Sequence, residues 1–320
     1  MLRSASRERP SGLNDLLGSE LIARVGRLDI SSRKMFAGKL QGERRSKKRG
    51  ESVEFADHRP YSSGDDIRHI DWNIYGRLDR LFMKLFQEDE DLSLHVVLDA
   101  SASADCGEPS RFLFMQRVAA ALGYIGIVNL NRVSLTAIGG VGVLPEGGDD
   151  EVVDRGGVMS SVRDLRGRRR LSDMERWLCG LEPVGRTVFD ESARRLAVSR
   201  TGRGVMVVLS DFLFREGYER GLRYLAGRGY DLVCLQVLTP QELEPELGGD
   251  LRLRDMEDGS RAEITVSAPL LRKYKENLTA YCDGLRAFCA RREITHIGVA
   301  SDIAVDELLL EYLRRRGVLR

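Results

Sequence analysis

The sequence predicts an α/β domain built on a doubly wound, mostly parallel sheet with helices on both faces. Three observations carry this expectation. Wholly apolar runs recur in "LSLHVVLD", "GVMVVLSD" and "YDLVCLQVL", as strands buried on both faces require. Segments with apolar residues at helical spacing separate them, the alternation that builds parallel sheets. Two of the runs end in an acid, Asp99 and Asp211, and strand ends are where open α/β sheets bind ligands.

Along the chain, Leu16, Leu17, Leu21, Ile22, Val25, Leu28 and Ile30 fall on a helical stripe, so one or two amphipathic helices are expected within residues 13–40. "QGERRSKKRG" follows, a charge run with Gly42 and Gly50 that reads as a mobile connector. Residues 52–87 hold short apolar pieces between turn-formers and read as extra strands, with Trp72 as a buried anchor. The acidic "QEDED" beyond them reads as a solvated charge run.

From Leu92 the strand–helix rhythm begins. "RFLFMQRVAAALGYIGIVNL" is a helix that packs on the first strand, and "RVSLTAIGG" with "VGVLPE" reads as an edge hairpin around Gly139 and Gly140. Residues 146–183 are polar and arginine-rich, with "LSDMERWLCGLE" the clearest helical piece. Asp258 and Gly259 mark a second hairpin; a long helix from Pro269, the strand "ITHIGVA" and a last helix close the chain. The expected divisions are 1–50, a helical segment and connector; 51–91, a β-rich segment; and 92–320, the α/β domain.

Composition narrows the classes. The 320 residues are 42% hydrophobic and 31% charged, with a net charge of +1, which is a globular balance. The basic clusters at 44–49 and 163–170 are not interleaved with aromatics, so no nucleic-acid partner is expected. Five cysteines, odd in number and without a C-x-x-C pair, read as reduced structural thiols. The longest apolar run, 118–128, is too short to span a bilayer and holds Gly123 and Gly126. A cytoplasmic protein is the expectation.

The chemistry concentrates in "VVLDASASAD". Asp99, Ser101 and Ser103 alternate as the chain leaves a strand, a spacing that turns three oxygens toward one point. Such hard oxygen donors suit Mg²⁺ or Mn²⁺. A strand-end acid capping the next turn is the competing reading of Asp99. The histidines and acids of "DHRPYSSGDDIRHIDW", among them Asp57, His58, Asp65, Asp66, His69 and Asp71, read as an ion-pair network that locks a loop rather than a second metal or acid–base centre. His95 and His296 lie inside strands and read as core histidines.

The D-x-S-x-S of Asp99, Ser101 and Ser103 resembles the metal-ion-dependent adhesion site (MIDAS) of von Willebrand factor A domains. That resemblance implies a threonine from a second loop, here Thr187 of "PVGRTVFDES", and an aspartate after a later strand, here Asp211 of "VVLSDFLF". Val188 stands where such sequences often carry an acid; Thr187 also reads as the N-cap of the following helix. "EFADHRPYSSGDDIRHIDWNIYGRLDRLFMKLFQEDEDLSLHVVLDASAS" is similar to the signature of the DUF58 family, whose members join such a segment to a von Willebrand A-like domain. What this implies is a non-enzymatic interaction module whose bound cation takes an acidic residue from a protein partner. DUF58 proteins are commonly encoded beside MoxR-type AAA+ ATPases, which implies such a motor as partner. The alternative is a metal-dependent hydrolase or phosphatase-like enzyme using the same aspartates, although neither acid loop itself contains a histidine.

Overall fold

The computed structural model describes residues 9–32, 53–62, 67, 70–88, 92–139, 141–142, 159–199, 203–227, 229–257 and 259–320. The chain divides into two units, one of residues 41–91 and one of residues 1–40 with 92–320.

In the smaller unit, β1 (Val53–Pro60) pairs antiparallel with β2 (Phe82–Glu88), with a register break between Phe55 and Asp57. Between them lies the short helix α2 (Trp72–Leu78), capped by Asp71, whose carboxylate accepts the N–H groups of Asn73 and Ile74. The same carboxylate lies 3.0 Å from His58 Nε2. Trp72 is not the buried anchor expected: it is 61% exposed and meets Tyr75 edge-on. The cap starts the helix at Trp72, and none of the seven helical residues is buried. Asp65, Asp66, Arg68 and His69 lie outside the described residues, as does the basic connector.

The larger unit is mixed α/β. Its strands are β3 (Ser93–Asp99), β4 (Arg132–Ile138), β5 (Val141–Gly142), β6 (Met159–Leu165), β7 (Leu181–Glu182), β8 (Gly204–Ser210), β9 (Tyr230–Leu238), β10 (Gly249–Arg254), β11 (Arg261–Val266) and β12 (Thr295–Ala300). Six of them form one sheet in the order β12-β9-β8-β3-β4-β6, parallel throughout except for β6 at the edge. Because side chains alternate across a sheet, each central strand feeds two cores. Val96, Leu98, Val205, Val207, Leu209, Val233 and Leu235 enter one; Val97, Met206, Val208, Leu232 and Cys234 enter the other. Each such burial contributes about 1.5–3 kcal/mol.

The helices sort onto the same two faces. The first core takes α1 (Leu13–Val25), α3 (Arg111–Val128) and α4 (Leu171–Cys179); the second takes α5 (Phe189–Ser199), α6 (Glu219–Ala226) and the C-terminal turns of a long helix. Further along the chain lie the single turn α7 (Pro240–Leu243) and that long helix, α8 (Ala268–Ala290). Among the described helices α3 is long and apolar enough to cross a membrane, and here most of its residues are buried inside the protein. Reading only the run 118–128 missed this, because the helix starts earlier, at Arg111. Gly126 lets α3 approach the sheet closely: a Cβ there would lie 2.5 Å from Val133.

The expected hairpin around Gly139 does not form. β5 pairs with β7, and the antiparallel neighbour of β4 is β6. Ser160 and Ser161 are buried in β6, with Ser160 accepting a hydrogen bond from Trp177 Nε1; these polar residues hid the strand. The closing segment is also less regular than a plain helix, with three α-helical residues, Val305–Glu307, running into a π-helical stretch, Leu308–Leu313.

Candidate metal centre at the carboxyl edge of the sheet

The sheet reverses its winding between β3 and β8, since the chain proceeds outward from β3 on one side and from β8 on the other. Ligands bind at such a switch point because two loops diverge there and leave a crevice. Asp99 is the last residue of β3, Ser210 ends β8, and Asp211 follows it.

Asp99 is the hub. It is 4% exposed; Oδ1 accepts the Ser101 N–H at 3.1 Å and the Thr187 hydroxyl at 3.0 Å, and Oδ2 accepts the Ser210 hydroxyl at 2.8 Å. The Ser101 and Ser103 hydroxyls are 3.0 Å apart. Burial and then the nearby Asp211 raise the Asp99 pKa, opposed by the donors from Ser101 and Ser210. A buried carboxylate beside a second acid is a position that a cation stabilises.

Thr187 reaches Asp99 because two loops are stitched together. The Val184 N–H bonds the Ala100 carbonyl, and the Ala102 N–H bonds the Gly185 carbonyl, each at 3.0 Å. Gly139 leaves the space: at φ +82° it lies so near that a Cβ would sit 2.2 Å from Thr187 Oγ1. The sequence reading took the glycines here for a turn alone. Thr187 is not the N-cap, since α5 starts at Phe189 and the threonine hydroxyl is given to Asp99.

Asp211 is brought to the same edge, where its carboxylate already has two partners. Oδ1 accepts the Leu213 N–H at 2.9 Å, and Oδ2 pairs with Arg111 at 2.8 Å. Arg111 is 2% exposed and also binds Glu242 and the Ser103 carbonyl. Burial opposes its charge, but Asp211 and Glu242 outweigh that and hold its pKa above the ordinary arginine value. The chain turns sharply after Asp211, with Phe212 in the left-handed region at φ +60°, a strained position for a bulky residue.

Sequence reasoning missed Arg111, Ser210, Glu242 and Glu257. Glu242 carried a signal: Thr239 and Glu242 form a capping box around α7, legible as T-x-x-E. Ser210 stood next to Asp211 in "VVLSD". Glu257, from the turn joining β10 and β11, accepts the Ser103 hydroxyl at 2.9 Å, and no local pattern announces it. His95 is the buried core histidine expected and contacts Thr136, whereas His296, on the edge strand β12, is only half-buried and contacts Gln236.

Among the described residues no three His, Cys, Asp or Glu side chains group as a metal centre. The donors gathered here are a carboxylate and the hydroxyls of Ser101, Ser103 and Thr187, an all-oxygen set that fits Mg²⁺ or Mn²⁺ better than thiophilic metals.

Known proteins give the following likenesses. Uncharacterized proteins of Mycobacterium bovis and Mycobacterium tuberculosis are 25% identical over 317 residues, covering 95% of this chain and 93% of theirs. The crystal structure of the conserved hypothetical protein BatB from Bacteroides thetaiotaomicron is 14% identical, with a TM-score of 0.39, over 70% of this chain and 98% of that one. An aerotolerance-related membrane protein from Bacteroides fragilis is 15% identical, with a TM-score of 0.38, over 70% and 99%. The family model described as "Protein of unknown function DUF58" matches residues 57–281. The chain therefore belongs to the DUF58 family.

Proposed function

We propose that the larger unit is a von Willebrand A-like domain and that the protein is a non-enzymatic, divalent-cation-dependent interaction module. Its cation is Mg²⁺ or Mn²⁺, held by Asp99, Ser101, Ser103 and Thr187. Asp211 adds negative charge from beside the site while Arg111 holds its carboxylate. When bound, the cation supplies a positive centre that accepts a carboxylate from a protein partner.

The observation that carries this reading is the convergence of the Asp99 carboxylate with hydroxyls from two separate loops, at the point where the sheet changes direction. A turn-capping acid needs only the Ser101 N–H. It does not need the Thr187 hydroxyl drawn from 88 residues away, nor a glycine to clear its path. The chain's own residues do the preparatory work: Ser210 and Thr187 fix both carboxylate oxygens, and the stitched loops hold Ser101 and Thr187 together.

The partner in this reading is a MoxR-type AAA+ ATPase, in the cytoplasm, with this protein as its adaptor. The test is the affinity of the purified protein for such an ATPase in Mg²⁺ and in EDTA, with Asp99→Ala alongside. The reading expects binding in Mg²⁺ that falls at least tenfold in EDTA and in the variant. Equal binding in Mg²⁺ and EDTA removes the cation from the mechanism; no binding in either removes the ATPase.

A further inference from the structure

The hairpin of β10 and β11 stands outside the main sheet, and most of its residues are exposed. A glutamate in such a turn would ordinarily extend into water. Glu257 does the opposite. Its side chain is 17% exposed, Oε1 accepts the Ser103 hydroxyl at 2.9 Å, and Oε2 lies 3.8 Å from Arg186, the residue before Thr187.

The turn is built to aim it. Asp255 Oδ1 accepts the Glu257 N–H at 2.8 Å, the Asp255 N–H bonds the Ser260 carbonyl, and Asp255 itself is paired with Arg215. The inward pose carries an electrostatic cost. The largely buried Glu257 carboxylate lies close enough to Asp99 and Asp255 to feel both negative charges. One arginine at 3.8 Å is a weak offset. An acid set against a second acid, across a pair of serine hydroxyls, is an arrangement that a cation between them would stabilise.

We propose that Glu257 is an internal ligand of the cation site, an inference that rests on the reading of Asp99, Ser101, Ser103 and Thr187 as cation donors. The β10–β11 hairpin seats this carboxylate on the side of the site that a partner's acid would approach. The protein thus carries its own competitor, and a partner engages by displacing the hairpin. The hairpin is suited to this because it contributes no strand to the main sheet, and its withdrawal leaves both cores intact.

Mn²⁺ is the probe, with the full chain. Its affinity is read by electron paramagnetic resonance and its exchangeable waters by water-proton relaxation, for wild type, Glu257→Gln and the control Glu263→Gln on the exposed face of the same hairpin. The proposal expects Glu257→Gln to weaken Mn²⁺ binding about tenfold, to gain an exchangeable water on each bound ion, and to let added acetate displace that water at lower concentration than in wild type. Glu263→Gln behaves as wild type. If wild type binds Mn²⁺ and Glu257→Gln matches it in affinity, water count and acetate response, the internal ligand is refuted while the cation site stands. If folded wild type retains no Mn²⁺, the cation reading fails and the internal ligand falls with it.

Discussion

Arg111 Nη2 lies 2.8 Å from Asp211 Oδ2, inside the protein, and the same guanidinium grips both oxygens of Glu242. The first residue of α3 thereby ties the end of β8 to the turn α7. A buried arginine serving two carboxylates is expensive to remove, because each acid is left without a counter-charge. Arg111→Met is expected to cost about 3–5 kcal/mol, read from urea denaturation. A loss below about 1 kcal/mol would show that the two acids find water or other donors instead.

Gly139 tests the packing of the site separately from its chemistry. Gly139→Ala places a methyl group on Thr187 Oγ1 and forces alanine to φ +82°, so a loss of about 1–3 kcal/mol is expected, together with a lower response of the melting temperature to Mg²⁺. A stable variant with a full Mg²⁺ response would mean that Thr187 need not touch Asp99.

Thr187 itself separates hydroxyl from shape. Thr187→Ser keeps the donor to Asp99, and Thr187→Val keeps the volume without it. Valine is expected to cost about 1–3 kcal/mol, the price of a buried carboxylate losing a donor, and to weaken Mg²⁺ binding, with serine close to wild type. The order reversed in titration calorimetry would make Thr187 a packing residue.

His296 supplies a pH dependence away from the site. Burial, followed by Arg286 and Arg316, lowers its pKa to about 4. Its free value lies near 6.5, so the unfolded chain takes up the proton first as pH falls. The stability from a neutral His296 is therefore full above about pH 6.5 and is lost toward pH 4. Denaturation from pH 7 to 4 should show this slope in wild type and a shallower one in His296→Gln. Identical slopes would mean that the half-buried ring titrates normally.

The alternation of wholly apolar runs with amphipathic segments was enough to read the parallel sheet, because strands covered on both faces cannot hide their hydrophobicity. β6 escaped since its buried serines are satisfied by tertiary partners such as Trp177, which no local pattern reveals. Trp72 misled for the converse reason: size suggests burial, while the Asp71 cap sets it at an exposed helix start. At the site, Asp99, Ser101 and Ser103 were legible because they are neighbours in sequence. Asp211 was legible from its strand-end position and Thr187 through family resemblance alone; the ion pair that Asp211 makes with Arg111 was not. Glu257 and Arg111 meet the site only through the folded chain, 154 residues separating Glu257 from Ser103, and so were beyond any reading of spacing.

Divalent-ion titration of the full chain, by calorimetry with wild type and Asp99→Asn, bears most directly on the whole account. Asn keeps the size of the side chain and one acceptor oxygen while removing the charge that a cation needs. The account predicts one saturable Mg²⁺ or Mn²⁺ site in wild type, abolished in a folded Asp99→Asn. Heats that are absent from wild type, or that persist unchanged in the variant, would contradict it.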